Sequence, residues 1–300
     1  MAHPHFEPIH FRQFGERVRE AGSRLLPSPI DYPVVLNQEL LRLALLTGGK
    51  LVRPSITVGV ATVLRDASLC TYAFAWACEL LHTSSLILDD LPSMDNAHLR
   101  RGEPCVHVRR GEAFALFTAL HAHNTAMAMI QAYASSPAVG MAFFQATFDA
   151  LGSTGLIGGQ YLDIDLRTEG ADLSHHEAYR LKRGFPTLWM MCNHFKTASL
   201  FRLSLLAAGI SLELDQDRLD SLGRVGDLLG LAFQLRDDTS DVGEDNDATS
   251  LLKGLISPEQ CAHEVQQLRQ EYRNELELAF SLKGLRIASL MDSVFEESPT

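Results

Sequence analysis

Two clusters of aspartates are the residues of this chain best suited to carry chemistry. Each cluster places three carboxylates within one or two helical turns and follows an apolar segment. Burying an ionised carboxylate is costly, and burying three together is not tenable without a compensating cation. Oxygen ligands in this number predict Mg²⁺, which takes one or two carboxylates per ion and completes its shell with water and substrate phosphates. The first cluster, DDLPSMD, holds Asp89, Asp90 and Asp95, and the second, DDTSD, holds Asp237, Asp238 and Asp241.

The spacing within and around the clusters indicates which side chains share a helical face. Asp237 and Asp241 are four residues apart, so their carboxylates point the same way from a helix. An acidic helix end solvated by water would explain one such pair, but two clusters that each follow apolar residues argue against it. His82 lies seven residues before Asp89 and therefore on nearly the same face. A single histidine on an apolar face is usually a core residue, but this alignment predicts that His82 donates to an anion.

Basic residues close to the acidic clusters complete the pattern. Gly49, Lys50 and Arg53 belong to GGKLVRP, where a helix start also offers free N–H groups to an anion. Arginine makes bidentate contacts with phosphate, and lysine supplies a point charge. An acidic protein with local cations beside predicted Mg²⁺ sites indicates one or two polyphosphate substrates. The other basic residues of this pattern are Arg100 and Arg101, just after the first cluster, and Lys196, which precedes Thr197.

Composition excludes other classes of function. The 300 residues carry a net charge of −11, which argues against nucleic acid as a partner because phosphodiester backbones require clustered lysine and arginine. The five cysteines are scattered and form no CxxC pair, as expected of reduced thiols in a cytosolic compartment. Residues 1–20 carry charges throughout and lack the apolar core of a signal peptide. We therefore expect a cytoplasmic protein.

Helical periodicity dominates the sequence, and strand-like alternation with hairpin turns is nearly absent. The chain is therefore predicted to be all-α. Since no linker, repeat or low-complexity segment divides it, we expect an irregular N-terminal segment over residues 1–30 and a single domain over residues 31–300. Pro92 should end the helix that leads to Asp89. The helices are predicted over residues 37–47, 54–64, 72–90, 152–165, 174–182, 187–208, 218–241 and 258–280, with two more inside residues 113–148.

Residues 113–148 contain no Asp, Glu, Lys or Arg. A membrane span would explain such a segment, but His121, His123 and Asn124 interrupt it, as does the break that begins at Pro137. We therefore predict no transmembrane segment. Two helices buried in a large α-domain or in a subunit interface are the better interpretation.

The glycine-rich stretch over residues 152–159 has two interpretations. It lacks the GK[ST] ending of a phosphate-binding loop and any preceding strand. Small residues that allow close helix packing therefore explain it better. Gln160 and Asp163, just beyond it, are about one turn apart and would face the same cavity.

Taken in order, these segments resemble the trans-isoprenyl diphosphate synthases (the polyprenyl synthetase family), most closely the bacterial carotenoid-type geranylgeranyl diphosphate synthases. The resemblance runs from about Leu36 to Leu252 through GGKLVRP, ELLHTSSLILDDLPSMDNAHLRRGEPCVH, GGQYLDID, NHFKTASLF and LAFQLRDDTSDV. It implies one helical bundle of the isoprenoid synthase type around a central apolar cavity. It also implies the Mg²⁺-dependent head-to-tail condensation of isopentenyl diphosphate with an allylic diphosphate, which releases diphosphate.

The same resemblance implies a role for each candidate residue. Both aspartate clusters would hold Mg²⁺, usually three ions, on the diphosphate of the allylic substrate, and Mn²⁺ is an alternative metal. Asp163 would orient a lysine or a metal-bound water. Arg100, Lys196 and Gln234 would contact the allylic diphosphate, Thr197 and Gln160 would border the reacting carbons, and Gly49, Lys50, Arg53, His82 and Arg101 match the site for isopentenyl diphosphate.

The resemblance also implies partners. The allylic substrate would be dimethylallyl, geranyl or farnesyl diphosphate. A homodimer is expected, with residues 113–148 as its interface. The chain departs from the family after the second cluster, where one or two lysines usually follow. Here the next lysine after Lys196 is Lys253, so either Lys253 or Arg236 would have to substitute.

Product length in this family depends on the residues one turn before the first cluster. Ser84 and Ser85 occupy these positions, where members that stop at fifteen carbons tend to have an aromatic residue. Two serines predict a twenty-carbon product, and phenylalanine at either position should shorten it.

Two other functions remain open from the sequence. A non-catalytic or regulatory subunit of a heteromeric prenyl synthase would tolerate loss of site residues, but all six aspartates are present. A class I terpene cyclase also ionises allylic diphosphates with metal bound to an aspartate cluster. A cyclase uses one diphosphate substrate, however, and has no need for the GGKLVRP segment.

Overall fold

The structure is a computed structural model and describes residues 8–46, 49–240 and 257–296. Within these residues the elements are helices, most of them α-helices, apart from one two-stranded hairpin, so the predicted all-α fold is confirmed. The helices are α1 (Gly15–Leu25), α2 (Val34–Leu41), α3 (Val52–Leu64), α4 (Leu69–Asp89), α5 (Val106–Arg110), α6 (Glu112–Tyr133), α7 (Pro137–Leu151), α8 (Leu156–Arg167), α9 (Ser174–Arg183), α10 (Leu188–Asn193), α11 (Ser199–Ser211), α12 (Gln216–Ser240), α13 (Pro258–Phe280) and α14 (Leu282–Asp292).

Short irregular helices and the hairpin complete the described part of the chain. Two segments have the wide turns of a π-helix, Arg42–Leu46 and His194–Ala198. Phe11–Phe14 and Ser293–Phe295 are 3₁₀-helices. The antiparallel hairpin pairs β1 (Leu99–Arg100) with β2 (Glu103–Pro104).

The chain divides into two compact units. The N-terminal unit comprises His10–Phe144 and Ala207–Glu213, and it contains the first aspartate cluster. The C-terminal unit comprises Met1–Ile9, Gln145–Leu206 and Leu214–Pro299, and it contains the second cluster.

The N-terminal segment is more ordered than expected. Residues 1–30 were predicted to be irregular, but residues 15–25 form α1. Val18 is fully buried, and its carbonyl oxygen accepts a hydrogen bond of 2.9 Å from the indole nitrogen of Trp76. A Cβ at Gly22 would lie 2.2 Å from the same indole. This indole packs against the backbone of α1, a contact that the local sequence does not reveal.

Helix α4 carries the first cluster and is fixed at its start and along its length. Ser68 and Thr71 form a capping box at its start, which satisfies two backbone N–H groups. It packs against α6, where Ala115, Ala119 and Ala122 are almost completely buried. Small side chains let the two helices approach closely, so few substitutions fit between them.

The uncharged residues 113–148 fall in two helices, as predicted. They lie in α6 and α7, which Ala134 and the residues after it separate. Phe143 of α7 stacks on Phe74 of α4 with ring centroids 4.1 Å apart. In the part of the chain that the structure describes, none of the helices is both long and apolar enough to span a membrane.

Glycines set the packing of the C-terminal unit. A Cβ at Gly159 of α8 would lie 2.3 Å from the backbone nitrogen of Lys196, and one at Gly230 of α12 would lie 2.5 Å from the Cα of Ala198. Both distances are well below the closest contact that a real Cβ atom makes, so the backbone of His194–Ala198 lies directly against these two helices. The interpretation of the 152–159 stretch as packing glycines is confirmed at Gly159.

All five cysteines fall within the described residues. Each is buried and none is in a disulfide, which agrees with the prediction of reduced thiols.

Candidate functional site

The first aspartate cluster lies at the end of α4. The helix ends at Asp89, as Pro92 predicted, and the backbone N–H of Asp95 donates to the carbonyl oxygen of Asp89 at 2.9 Å. This turn brings the backbones of the two residues together. Asp89 is half-buried and Asp95 is exposed, whereas Asp90 is buried with 5% exposure.

Asp90 has a different environment from its two neighbours. Its Oδ1 accepts hydrogen bonds from Nε and Nη2 of Arg100, at 2.9 and 2.5 Å. The buried thiol of Cys105 is a third partner. Burial and this carboxylate raise the pKa of Cys105 to about 11, so the thiol keeps its proton and donates it. The Asp90 carboxylate is therefore committed to protein donors.

Three arginines lie close enough to His82, seven residues before Asp89 on α4, for their charges to act on it. Burial lowers the pKa of His82 well below its ordinary value, and the charges of Arg53, Arg101 and Arg100 lower it further. His82 is therefore neutral at physiological pH and has one N–H to donate. The structure thus brings together four residues that the sequence singled out as anion-binding.

Glu79 is a buried carboxyl in the same group that sequence reasoning missed. It lies one turn before His82 and is 4% exposed. Burial raises its pKa, and the charges of Arg101, Arg53 and Arg19 oppose that rise. An acidic residue at helical spacing before His82, inside an apolar stretch, was the available signal.

The GGK segment contacts the same arginines. A Cβ at Gly49 would lie 2.4 Å from Nη1 of Arg101, so the guanidinium packs against this glycine. Arg19 Nη2 donates to the carbonyl oxygen of Gly49 at 3.3 Å. Lys50 is half-buried and leads into Leu51, which has a left-handed backbone with φ of 49°. Arg101 is also left-handed, with φ of 54°, a conformation that costs energy in residues other than glycine.

The two serines proposed to control product length differ in their surroundings. Ser84 is buried, and its hydroxyl donates to the carbonyl oxygen of Ala119 in α6 at 2.9 Å. Ser85 is half-buried, and its hydroxyl donates to the carbonyl oxygen of His82 within α4 at 2.9 Å. Ser84 therefore lies in the α4–α6 contact.

In the C-terminal unit, Lys196 is paired with Asp163. Its ammonium lies 2.7 Å from Asp163 Oδ2, and Arg167 Nη2 lies 2.9 Å from the same oxygen. Lys196 belongs to the π-helical segment His194–Ala198 that α8 and α12 flank. A π-turn inside a helix is often found at a functional site.

Thr197, next along this segment, contacts another predicted site residue. Its hydroxyl donates to Gln234 Oε1 of α12 at 2.9 Å. Gln160 of α8 has both amide atoms buried, and none of the residues that the structure describes forms a hydrogen bond with them. A buried amide left in this way costs free energy unless a ligand or water satisfies it.

Asp237 and Asp238 of the second aspartate cluster lie near the end of α12. Asp237 is 30% exposed and lies 3.4 Å from Nη2 of Arg236. The side chain of Asp238 and the whole of Asp241 lie outside the described residues, as does Lys253. In the described ranges, no three His, Cys, Asp or Glu side chains form a closed metal site.

Known proteins resemble this chain over most of its length. The family model described as Polyprenyl synthetase matches residues 35–254. The geranylgeranyl diphosphate synthase of Pantoea ananas is 33% identical over 237 residues, which cover 76% of this chain and 74% of that protein.

Solved structures share the fold. A FPP/GFPP synthase from Zymomonas mobilis has a TM-score of 0.76 at 27% identity and covers 93% of this chain and 95% of its own. A geranyltransferase from Helicobacter pylori, complexed with magnesium and isoprenyl diphosphate, has a TM-score of 0.77 at 24% identity. That likeness covers 98% of this chain and 100% of the geranyltransferase chain, and it concerns the fold alone.

Proposed function

Since the chain belongs to the polyprenyl synthetase family, we propose that it is a trans-prenyltransferase that condenses isopentenyl diphosphate with an allylic diphosphate and releases diphosphate. The observation that carries this proposal is the convergence of Arg53, Arg100 and Arg101 on a neutral His82, one helix with Asp89. Clustered guanidinium groups bind diphosphate, and nearby carboxylates bind the metal that such a substrate brings.

Isopentenyl diphosphate is the proposed ligand of the basic residues in the N-terminal unit. Lys50, Arg53 and Arg101 supply positive charge, and His82 donates one N–H to the same anion. Gly49 contributes by leaving room for the Arg101 guanidinium. Glu79 is buried within range of the charges of Arg101 and Arg53, which oppose the rise that burial causes in its pKa.

The residues present fit Mg²⁺, with Mn²⁺ as the alternative. Asp89 and Asp95 in the N-terminal unit, and Asp237 with Asp238 and Asp241 in the C-terminal unit, are the proposed ligands, for about three ions. Carboxylates that leave most of the coordination shell to water and phosphate are what Mg²⁺ prefers. Asp90 is proposed to act differently, because its carboxylate holds Arg100 in place for the allylic diphosphate.

The reaction needs stabilisation of the charge that develops on the leaving diphosphate and a site that excludes water. It needs no protein nucleophile. Mg²⁺ held by the proposed aspartate ligands would offset the negative charge that builds on the diphosphate as the allylic C–O bond breaks. Arg100 and Lys196 stabilise the same charge, and Asp163 keeps the lysine oriented. The double bond of isopentenyl diphosphate attacks the allylic cation, and the released diphosphate takes the proton that is lost. Gln234 is proposed to contact the allylic diphosphate, and Thr197 and Gln160 are proposed to border the reacting carbons.

A twenty-carbon product is proposed, which would make the protein a geranylgeranyl diphosphate synthase. The small side chains of Ser84 and Ser85 support this length, as does the activity named for the Pantoea ananas relative. A fifteen-carbon product is the competing outcome. The experiment that separates them also tests the function.

Incubation of the purified chain with Mg²⁺, isopentenyl diphosphate and each allylic primer should yield a longer prenyl diphosphate, and EDTA should abolish it. Mass spectrometry of the products gives the chain length. No product with any primer, but stimulation of an added prenyl synthase, would support a regulatory subunit instead. Release of a hydrocarbon from the allylic substrate alone would support a cyclase.

Ser85→Phe should shorten the main product from twenty to fifteen carbons. A phenyl ring at this half-buried position would fill space one turn before Asp89. Ser85→Ala is the matched control and should leave the product length unchanged.

Ser84→Phe is a poorer test than the sequence suggested. The hydroxyl of Ser84 touches the α6 backbone, so a large ring there would force the two helices apart and destabilise the fold. An unchanged product distribution from a folded Ser85→Phe protein would contradict the role of this position.

A homodimer is also proposed. Helix α6 carries no charged residue after Glu112, yet exposes Phe117, Leu120 and Leu116, the first at 63%. Adjacent exposed apolar side chains on one helix favour association with another protein surface.

A further inference from the structure

A buried carboxylate on α2, that of Glu39, pairs with two arginines of the N-terminal unit. The Glu39 side chain is only 9% exposed. Its Oε1 accepts hydrogen bonds from Nε and Nη2 of Arg42 at 3.3 and 3.1 Å, and a further one from Nη2 of Arg109 on α5. Because a buried carboxylate is costly unless it is paired, these three side chains are held in one arrangement.

Helix α2 is itself fixed in place. The buried Asn37, two residues before Glu39, donates to the carbonyl oxygens of Ser28 at 3.0 Å and Asp31 at 2.9 Å. Its Oδ1 accepts a hydrogen bond of 2.7 Å from Nε2 of His121 on α6. The helix is therefore tied both to α6 and to the segment that precedes it.

Arg109 extends the connection from Glu39 to the β1–β2 hairpin. Its Nε donates to the carbonyl oxygen of Pro104, the last residue of β2, at 3.1 Å. A guanidinium presents its donors in fixed directions, so the two hydrogen bonds of Arg109 set the distance between Glu39 and the hairpin.

The hairpin depends on such support because each of its strands has only two residues. An isolated two-stranded hairpin is marginally stable at best in water. Its turn consists of Arg101 and Gly102, with φ of 54° and 78°, as in a type I′ turn. The backbone N–H of Cys105 donates to the carbonyl oxygen of His98 at 3.0 Å and closes the hairpin. The placement of Arg101 therefore depends on the contacts that the hairpin makes with other elements.

The two arginines of the hairpin differ in how they are held. Arg100 has an ion pair of 2.5 Å with Asp90. Arg101 lies at the turn itself, where its guanidinium packs against Gly49. A shift of the hairpin would move Arg101 away from Gly49, whereas Asp90 would still hold Arg100.

We propose that Glu39 is a positioning residue for the isopentenyl diphosphate site. Through Arg109 it holds the hairpin, and the hairpin in turn holds Arg101 beside Gly49. The inference rests on the proposed function, because it takes Arg101 as a ligand of isopentenyl diphosphate. Neither Glu39 nor Arg109 is among the residues that the sequence analysis singled out.

The direction of the effect distinguishes positioning from a simple effect of charge. Arg42, Arg100 and Arg101 line one cavity of about 40 Å³, and Glu39 pairs with the first of them. If Glu39 acted through its charge alone, neutralising it would make this region more positive and strengthen the binding of an anion. If Glu39 positions Arg101, the same change weakens that binding.

Glu39→Gln is the direct test, because glutamine keeps the length of the side chain and removes its charge. Isothermal titration calorimetry with isopentenyl diphosphate should show Kd raised about tenfold, the loss expected for one charge-assisted hydrogen bond to a ligand. The KM for isopentenyl diphosphate should rise with it. The KM for the allylic primer should stay within about threefold, because Asp90 still holds Arg100.

Arg109→Met breaks the same connection from its other end. It should also raise the Kd, whereas an effect of charge alone would move the two single variants in opposite directions. The double variant should bind no worse than the weaker single variant, because both changes remove one connection. Glu275→Gln is the matched control. It removes a partly buried ion pair of 2.5 Å with Arg224 in the C-terminal unit and should leave the Kd unchanged.

Hydrogen exchange reports on the hairpin directly, whatever reaction the protein catalyses. Mass spectrometry of peptides that span residues 98–105 should show faster exchange in Glu39→Gln than in the wild type, because local opening becomes easier. Peptides from α13 should exchange at the same rate in both proteins.

Four results would overturn the inference. They are a Kd that is unchanged or lowered in Glu39→Gln, hairpin exchange no faster than in the wild type, additive losses in the double variant, and an equal loss in Glu275→Gln. A wild-type chain that binds isopentenyl diphosphate but elongates no primer would instead reject the proposed function alone. A wild-type chain that does not bind isopentenyl diphosphate would reject both.

Discussion

Asp89→Asn should lower kcat for prenyl transfer at least about 100-fold. The amide has nearly the shape of the carboxylate but lacks the negative charge that the proposed metal requires. Asp89 is also half-buried at the last residue of α4. Initial rates at saturating substrates, measured over a range of Mg²⁺ concentrations, give the effect.

The matched control is Asp66→Asn. Asp66 is an exposed carboxylate in the loop before α4, hydrogen-bonded to the backbone N–H of Ala67 at 2.8 Å. Its replacement should leave kcat within about twofold of the wild-type value, since surface changes of this kind are usually near neutral. A kcat for Asp89→Asn within tenfold of the wild type at every Mg²⁺ concentration would remove Asp89 from the metal site.

Gly159→Ala should both destabilise the protein and reduce its activity. The added Cβ would lie 2.3 Å from the backbone nitrogen and 2.7 Å from the Cα of Lys196, and neither atom can move without shifting the segment. Overpacking of this kind costs about 1–3 kcal/mol, occasionally more. We expect thermal unfolding to shift down by several degrees, and kcat to fall because displacement of Lys196 weakens its 2.7 Å pair with Asp163.

Gly15→Ala provides the comparison for this substitution. A Cβ at Gly15, the first residue of α1, has no heavy atom within 4 Å, and alanine favours the helix. The unfolding temperature should therefore stay the same or rise slightly. Equal thermal stability of the Gly159→Ala and wild-type proteins would mean that α8 can move away from Lys196 without cost.

Local signals explain which elements the sequence predicted well. Helix α13 begins and ends where predicted because Pro258 stands at its first position, after the Ser257 cap. The end of α4 follows from Pro92 in the same way. Such signals act within a few residues, so they do not depend on contacts with distant parts of the chain.

Contacts between distant segments account for what was missed. Helix α1 depends on Trp76, which neither Val18 nor Gly22 predicts. The charges that act on the buried carboxyl of Glu79 come from Arg19 and from other arginines, which lie on other elements. Helical spacing alone could not distinguish Ser84 from Ser85, because the difference lies in which one meets α6.

Among the candidate site residues, too, local spacing predicted some features, and contacts between distant segments decided the others. Spacing placed His82 and Asp89 on one face of α4, whereas family resemblance gave Asp163 only an unnamed lysine or a metal-bound water as its partner, and the structure identifies Lys196. The separation of Asp90 from its two neighbours could not be read from three identical residue types. It follows from Arg100 and Cys105, which the hairpin and the residue after it bring to Asp90.

The π-helical turn at His194–Ala198 restricts which insertions and deletions the sequence can tolerate. A π-turn holds one residue more than a regular helix would, so deleting a residue there would return the segment to regular helix and turn its side chains relative to α8 and α12 by up to about 100°. Lys196 and Thr197 would then lose Asp163 and Gln234 together, although every side chain needed for both contacts remained encoded. Insertions and deletions should therefore be tolerated in the connection between α8 and α9, but not between α10 and α11.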